Sequence, residues 1–136
     1  MNIQLTYNRR QTTTTNVGGL LIGSEHPVRI QTMANTSTND IEGSVAQAKR
    51  CIDAGAELLR FTTQGIREVE SLSQIHQQLH ANRFNTPIVA DIHFQSDVAD
   101  AAAKVVEKVR INPGNYIDPA RKFKQIDYTE EEYQTE

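Results

Sequence analysis

The sequence predicts an α/β protein, the first half of a TIM (β/α)8 barrel with about four parallel strands and their helices, preceded by an N-terminal hairpin. From about residue 28, short β-branched runs alternate with helical periodicities, the pattern of βαβ units and a mainly parallel sheet. These units recur every 20 to 30 residues or so, and the chain has 136 residues, about half of the roughly 250 an eight-stranded barrel needs. The chain also reaches Glu136 inside a helical pattern that has no stop signal, so the sequence reads as truncated. The expected division is an N-terminal segment with a lid hairpin over residues 1–27 and a partial barrel domain over residues 28–136. An open four-stranded sheet is the rival architecture.

Along the chain, the stretch NVGGLLIGSEHPVRI reads as a hairpin or lid strand turning at Gly23 to His26. Strands are expected at Val28–Met33, Leu58–Thr63, Pro87–Phe94 and Lys108–Pro113. Between the first two, Ile41, Val45, Ala48 and Ile52 form one stripe of a 3.6-residue period. Asn39 is placed to cap that helix, with Glu42 three residues on as in a capping box, and Gly55 suits a left-handed stop after Ala54. The second helix puts Ile66, Val69, Leu72, Ile75 and Leu79 on one face. The third is short and alanine-rich, from near Ser96 to about Val106. After the turn composition NPGN, the segment DPARKFKQIDYTEEEYQTE opens with a turn and continues in a helical pattern whose acidic run reads as a solvated face.

Hydrophobic residues make up 38% and charged residues 23%, ordinary globular usage that excludes collagenous, disordered and disulfide-rich classes. No run approaches the roughly 18 apolar residues of a membrane span, and the first residues lack the apolar core of a secretory signal, so the expected compartment is the cytoplasm. The net charge of -3 offers no general attraction to nucleic acid or anionic lipid. Five acids and no base lie in Asp127 to Glu136, leaving the rest of the chain faintly basic. Cys51 is the only cysteine, which excludes an intramolecular disulfide and a cysteine metal cage and suggests a small packing residue.

The informative residues are polar ones near the carboxyl ends of strands that otherwise read as buried. Side chains two apart on a strand share a face, so Arg60 pairs with Thr62, Asp91 with His93, and Arg110 with Asn112. Gln31 and, beyond its strand, Asn35 add amides. Core packing does not ask for this repetition, because parallel strands covered on both faces read as apolar runs. Ligands of parallel α/β folds bind beyond the strands' carboxyl ends. Two arginines, a histidine and several amides suit phosphate or carboxylate oxygens, so a small, phosphorylated anion is expected. Asn115, in the NPGN turn, would bring its amide to the same rim, although that turn also has a purely local explanation. A structural ion pair is the competing explanation for Asp91 or Arg110 taken singly. His76 and His80 read as solvated on an exposed helix face and His26 as a turn residue, while the run Thr12 to Thr15 suggests no mechanism.

At VRIQTMANTST, AGAELLRFTT, PIVADIHF and VRINPGN the sequence resembles the 4-hydroxy-3-methylbut-2-enyl diphosphate synthase family of the non-mevalonate isoprenoid pathway, over roughly residues 17 to 118. The resemblance implies the first half of a substrate barrel, with an iron-sulfur domain that lies outside this chain. It implies reductive conversion of 2-C-methyl-D-erythritol 2,4-cyclodiphosphate with a 4Fe-4S cluster and electrons from flavodoxin or ferredoxin. Three cysteines and a glutamate of the C-terminal domain hold the family's cluster, so this chain should bind none and is expected to be inactive alone. By motif, Arg60 and Arg110 look like the arginines that hold the diphosphate, with Asn112 beside them and Asp91 and His93 in the same pocket. A homodimer is also implied. Another phosphate-binding barrel enzyme, such as a pterin-using synthase, and a non-catalytic anion-binding or assembly module are the alternatives.

Overall fold

The computed structural model describes residues 10–93 and 95–116. Its elements are β1 (Thr15–Val17), β2 (Leu20–Ile22), β3 (Gln31–Met33), α1 (Ile41–Asp53), β4 (Leu58–Thr63), α2 (Ile66–Ala81), β5 (Ile88–Ile92), α3 (Ser96–Ala102) and β6 (Lys108–Arg110), followed by a 3-10 turn at Pro113–Asn115. Strands β3, β4, β5 and β6 form a parallel sheet in sequence order, and β1 pairs antiparallel with β2 in a separate hairpin.

All three helices cover one face of the sheet. Val45 and Ala48 of α1, Val69, Leu72, Ile75 and Leu79 of α2, and Val98, Ala99 and Ala102 of α3 share one core with Leu59, Phe61, Ile88, Ala90 and Ile92. A doubly wound sheet would reverse its strand order and carry helices on both faces. Sequential order with helices on a single face is the winding of a barrel wall. The opposite face carries the alternate residues of the same strands, Leu58, Arg60 and Thr62 of β4 and Val89 and Asp91 of β5.

The hairpin closes the amino end of that second face, where Val17 is buried with Leu58 and Val89 and flanked by Leu20 and Ile22. Its chain reverses at Gly18 and Gly19, both at positive φ, rather than at Gly23 to His26. The latter is a second turn, closed by the His26 N–H donating to Gly23 O at 3.1 Å. Adjacent glycines release the chain into left-handed backbone at low cost, which places the reversal at the earlier pair. The hairpin therefore lies at the amino end of the sheet and does not cover its carboxyl end. The threonine run has a local role, since Thr12 Oγ1 accepts from the N–H of Ser24, itself at positive φ.

Three further expectations shift. Asp40, not Asn39, caps α1, its carboxylate accepting from Gly43 N at 3.1 Å. Asn39 instead donates to Glu68 and accepts from Ser71, joining the β3–α1 loop to α2. Strands β3 and β6 are shorter than the sequence suggests, and α3 ends at Ala102, where the Val105 and Val106 N–H groups both turn back to the Ala102 carbonyl. The stop after α1 is as expected, with Gly55 at φ +100°. Cys51 packs, partly buried, against the helix-side core. In the second helix the expected face is buried except at Ile66, its exposed first residue. The expected end of the third strand at Phe94 and the segment after Tyr116, with its acidic run, lie outside the described residues.

Candidate anion-binding site

At the carboxyl ends of the sheet, Thr62, Asp91 and Arg110 occupy one rung across β4, β5 and β6, with Arg60 one same-face step below. Asp91 is only 3% exposed and stands at the centre of a charged cluster. Its Oδ2 meets Arg60 Nη2 at 2.8 Å and His93 Nε2 at 3.3 Å, while its Oδ1 meets Arg110 Nη1 at 3.3 Å. Arg60 of β4, His93 just beyond β5 and Arg110 of β6 thus converge on one carboxylate. Burial pushes the Asp91 carboxyl pKa up, but the hydrogen bonds and charges of Arg60 and His93 outweigh it and hold the group below its ordinary value.

The cluster is not neutral. Two guanidiniums face one carboxylate, so it keeps a net positive charge. Arg60 lies deeper and its Nε is buried without a hydrogen-bond partner among the described residues. Arg110, with 43% of its side chain exposed, touches Asp91 through one nitrogen. Asp91 thus engages one nitrogen of each arginine and leaves their other N–H donors unused by it.

The loop after β3 forms a braced rim. Thr38 Oγ1 donates to Thr62 O at 2.6 Å, Thr36 bonds Ser44 and Gln47, and Asn35 is clasped by Gln47 through its N–H and its side chain. Asn35 is therefore part of the brace that ties this loop to α1. Asn112 Oδ1 accepts from Gly114 N at 3.3 Å and so holds the NPGN turn, as its local explanation requires. Asn115 lies in that turn. Gln31 shares its rung with Leu58, at the amino end of β3, and stands apart from the Asp91 cluster. The sequence reading placed it near the carboxyl end because the strand begins three residues later than its β-branched run suggests. The rim residues Thr36, Thr38 and Gln47 carry no signal in the sequence, because their partners lie on other elements.

A parallel sheet wound in barrel fashion, with a charged cluster across its carboxyl ends, defines part of a TIM-barrel domain. The comparisons specify it further: residues 12–135 match the GcpE TIM-barrel domain, and the chain belongs to that family. It is 54% identical over 130 residues, 96% of its length, to the 4-hydroxy-3-methylbut-2-en-1-yl diphosphate synthase (flavodoxin) of Bacteroides fragilis, covering 21% of that protein. It is 47% identical over 128 residues, 94% of its length, to the chloroplastic ferredoxin-type synthase of Arabidopsis thaliana, covering 17% of that protein. The chain thus spans about a fifth of the length of such relatives. A solved structure of Xanthomonas albilineans dihydropteroate synthase matches 71% of this chain and 39% of its own with a TM-score of 0.52. At 20% identity that likeness shows the shared fold alone.

Proposed function

We propose that this chain supplies part of the diphosphate-binding barrel wall of an enzyme that reductively converts 2-C-methyl-D-erythritol 2,4-cyclodiphosphate to 4-hydroxy-3-methylbut-2-enyl diphosphate. The observation that carries the reading is the buried Asp91 gathering Arg60, His93 and Arg110, from two strands and the end of a third, into a cluster with excess positive charge. In this reading Arg60 and Arg110 hold the substrate's phosphate oxygens, Asp91 fixes their directions, and His93 adds a further ring donor. Preorganised guanidiniums lose little freedom on binding, which favours a dianionic or trianionic ligand over water. Asn112 and Asn115 border the mouth and Asn35 braces its rim, whereas Gln31, at the amino end of β3, takes no part in it. Residues 1–27 act as the hairpin-bearing segment and residues 28–136 as the barrel portion.

The redox chemistry belongs elsewhere. A 4Fe-4S cluster needs several thiolates, and the only cysteine, Cys51, packs against the helix-side core, so these residues do not fit a cluster. The reading therefore assigns the cluster to residues outside this chain and no reaction step to it here. Reduced flavodoxin or ferredoxin as electron donor, a homodimeric enzyme and a cytoplasmic setting complete the proposal. Among the described residues no helix is long and apolar enough to cross a membrane.

Calorimetric titration of the chain with the cyclic diphosphate at low and moderate salt tests the binding role, with circular dichroism checking the fold. Saturable binding that weakens with salt and falls at least about tenfold in Arg110→Ala is expected. Equal binding by the variant would remove Arg110 from the site.

A further inference from the structure

At the opposite, amino end of the sheet a second cluster of ligating side chains has no part in the anion site. His76 and His80 lie one turn apart on α2, with ring centroids 4.3 Å apart and planes inclined by 28°. Glu107, which precedes β6, brings its Oε1 to 2.7 Å from His76 Nε2. Each of the three offers a ligand atom, and these atoms all lie within 4.8 Å of one another. The sequence suggested solvated histidines. The structure instead half-buries His76 against a carboxylate 31 residues away and leaves His80 exposed beside it.

We infer that His76, His80 and Glu107 form a binding site for a first-row divalent transition metal such as zinc, remote from the Asp91 cluster and clamping α2 to the start of β6. Histidines at i and i+4 on a helix present their rings to the same side, and two imidazoles with one carboxylate are a zinc-type donor set. Metal–ligand bonds of about 2.0–2.2 Å in tetrahedral geometry set ligand atoms roughly 3.3–3.5 Å apart. The present spacings reach that by opening the His76–Glu107 contact slightly and turning the exposed His80 ring inward. The carboxylate is already oriented, because its other oxygen, Oε2, accepts from Ile88 N at 2.9 Å. That is the supporting hydrogen bond metal-ligating carboxylates characteristically receive. A His76–Glu107 ion pair alone accounts for two of these groups. A metal accounts for all three, and leaves a fourth coordination position for water.

Cobalt(II) and zinc titrated into the full chain, prepared without a histidine tag, test the site through the visible absorption of bound cobalt and through thermal unfolding. One equivalent of cobalt displaced by zinc, with a rise in Tm of a few degrees, is the expected result. His80→Ala, at an exposed position, should keep the circular dichroism spectrum, lose at least about tenfold in affinity and abolish the Tm rise. Glu107→Gln should also lose cobalt, and Cys51→Ser should retain it. Absence of saturable binding by the unaltered chain, equal binding by His80→Ala, or loss of binding in Cys51→Ser would each overturn the assignment.

Discussion

Asp91 carries the most consequential chemistry of any single residue described. A carboxylate 3% exposed is costly unless its charge is answered, and here Arg60, His93 and Arg110 answer it together. Asp91→Asn keeps the shape, removes the charge, and leaves two arginines facing each other without a counter-ion. Because both arginines are partly exposed and can turn to water, the expected loss is about 1–3 kcal/mol, read as a lower denaturant midpoint at unchanged slope. The pH dependence has a definite sign. A carboxyl held below its ordinary pKa stabilises the fold above about pH 4, the value in the unfolded chain, and that contribution disappears as pH falls through the lower folded value. Stability of the unaltered chain should therefore drop more steeply below about pH 4 than that of Asp91→Asn; parallel acid profiles would show that Asp91 is not the titrating group. The convergence was legible in part, since same-face alternation picks out Arg60, Asp91, His93 and Arg110 as polar groups where a core residue belongs. Their meeting on one carboxylate was not, because it depends on the register that places Arg110 beside Asp91 and on Arg60 reaching up from the rung below.

At the scale of elements, α1 shows how tertiary contacts choose between equivalent local options. Asn39 and Asp40 are both competent caps, and Asp40 takes the role because Asn39 is engaged by Glu68 and Ser71 of α2. Nothing within the helix's own sequence could separate the two, whereas its apolar stripe and its stop at Gly55 are local and were readable. The cap also explains Gly43, a residue that weakens a helix interior. A Cβ there would collide with the Asp40 carboxylate folded over the first turn. Asp40→Ala should cost about 1 kcal/mol in thermal or chemical unfolding. Gly43→Ala should fail to deliver the gain of about 1 kcal/mol that the same change brings in an open helix, because it displaces the cap; a full gain would show that Asp40 does not need that space. The hairpin itself is legible in the sequence, but the position of its turn and the His76–Glu107 pair are not. The turn falls at a glycine pair two residues past the start of the stretch NVGGLLIGSEHPVRI, and the pair joins residues 31 apart in the chain.

Taken as a whole, the molecule divides its sheet into a working end and a foundation. At the carboxyl ends, loops are braced around a cationic cluster. At the amino ends, Glu57 before β4 and Glu107 before β6 do equivalent work, each accepting from a backbone N–H at the start of the preceding strand in the sheet, of Ile30 and Ile88 respectively. Arg29 locks the first of these by pairing with Glu57 at 2.9 Å and donating to Leu21 O in the hairpin. Gly18 sits so close to Glu107 that a Cβ would lie 2.7 Å from its Cγ, which ties the hairpin's turn to the second. Val17 completes the foundation by filling the space over Leu58 and Val89. If the two ends are independent, changes at one should leave the other's property intact. Val17→Ala removes two buried methyl groups and should lower stability by about 1.5–2.5 kcal/mol while leaving anion affinity unchanged. Arg110→Ala should do the reverse, weakening the anion with little effect on unfolding, since its side chain is nearly half exposed and makes a single long contact with Asp91. Residues that share no partner contribute additively, so the double variant should show the sum of the two stability changes and the affinity of Arg110→Ala alone. A departure of more than about 0.5 kcal/mol from that sum, or an affinity that falls with Val17→Ala, would show that the hairpin reaches the anion site through the strands it supports.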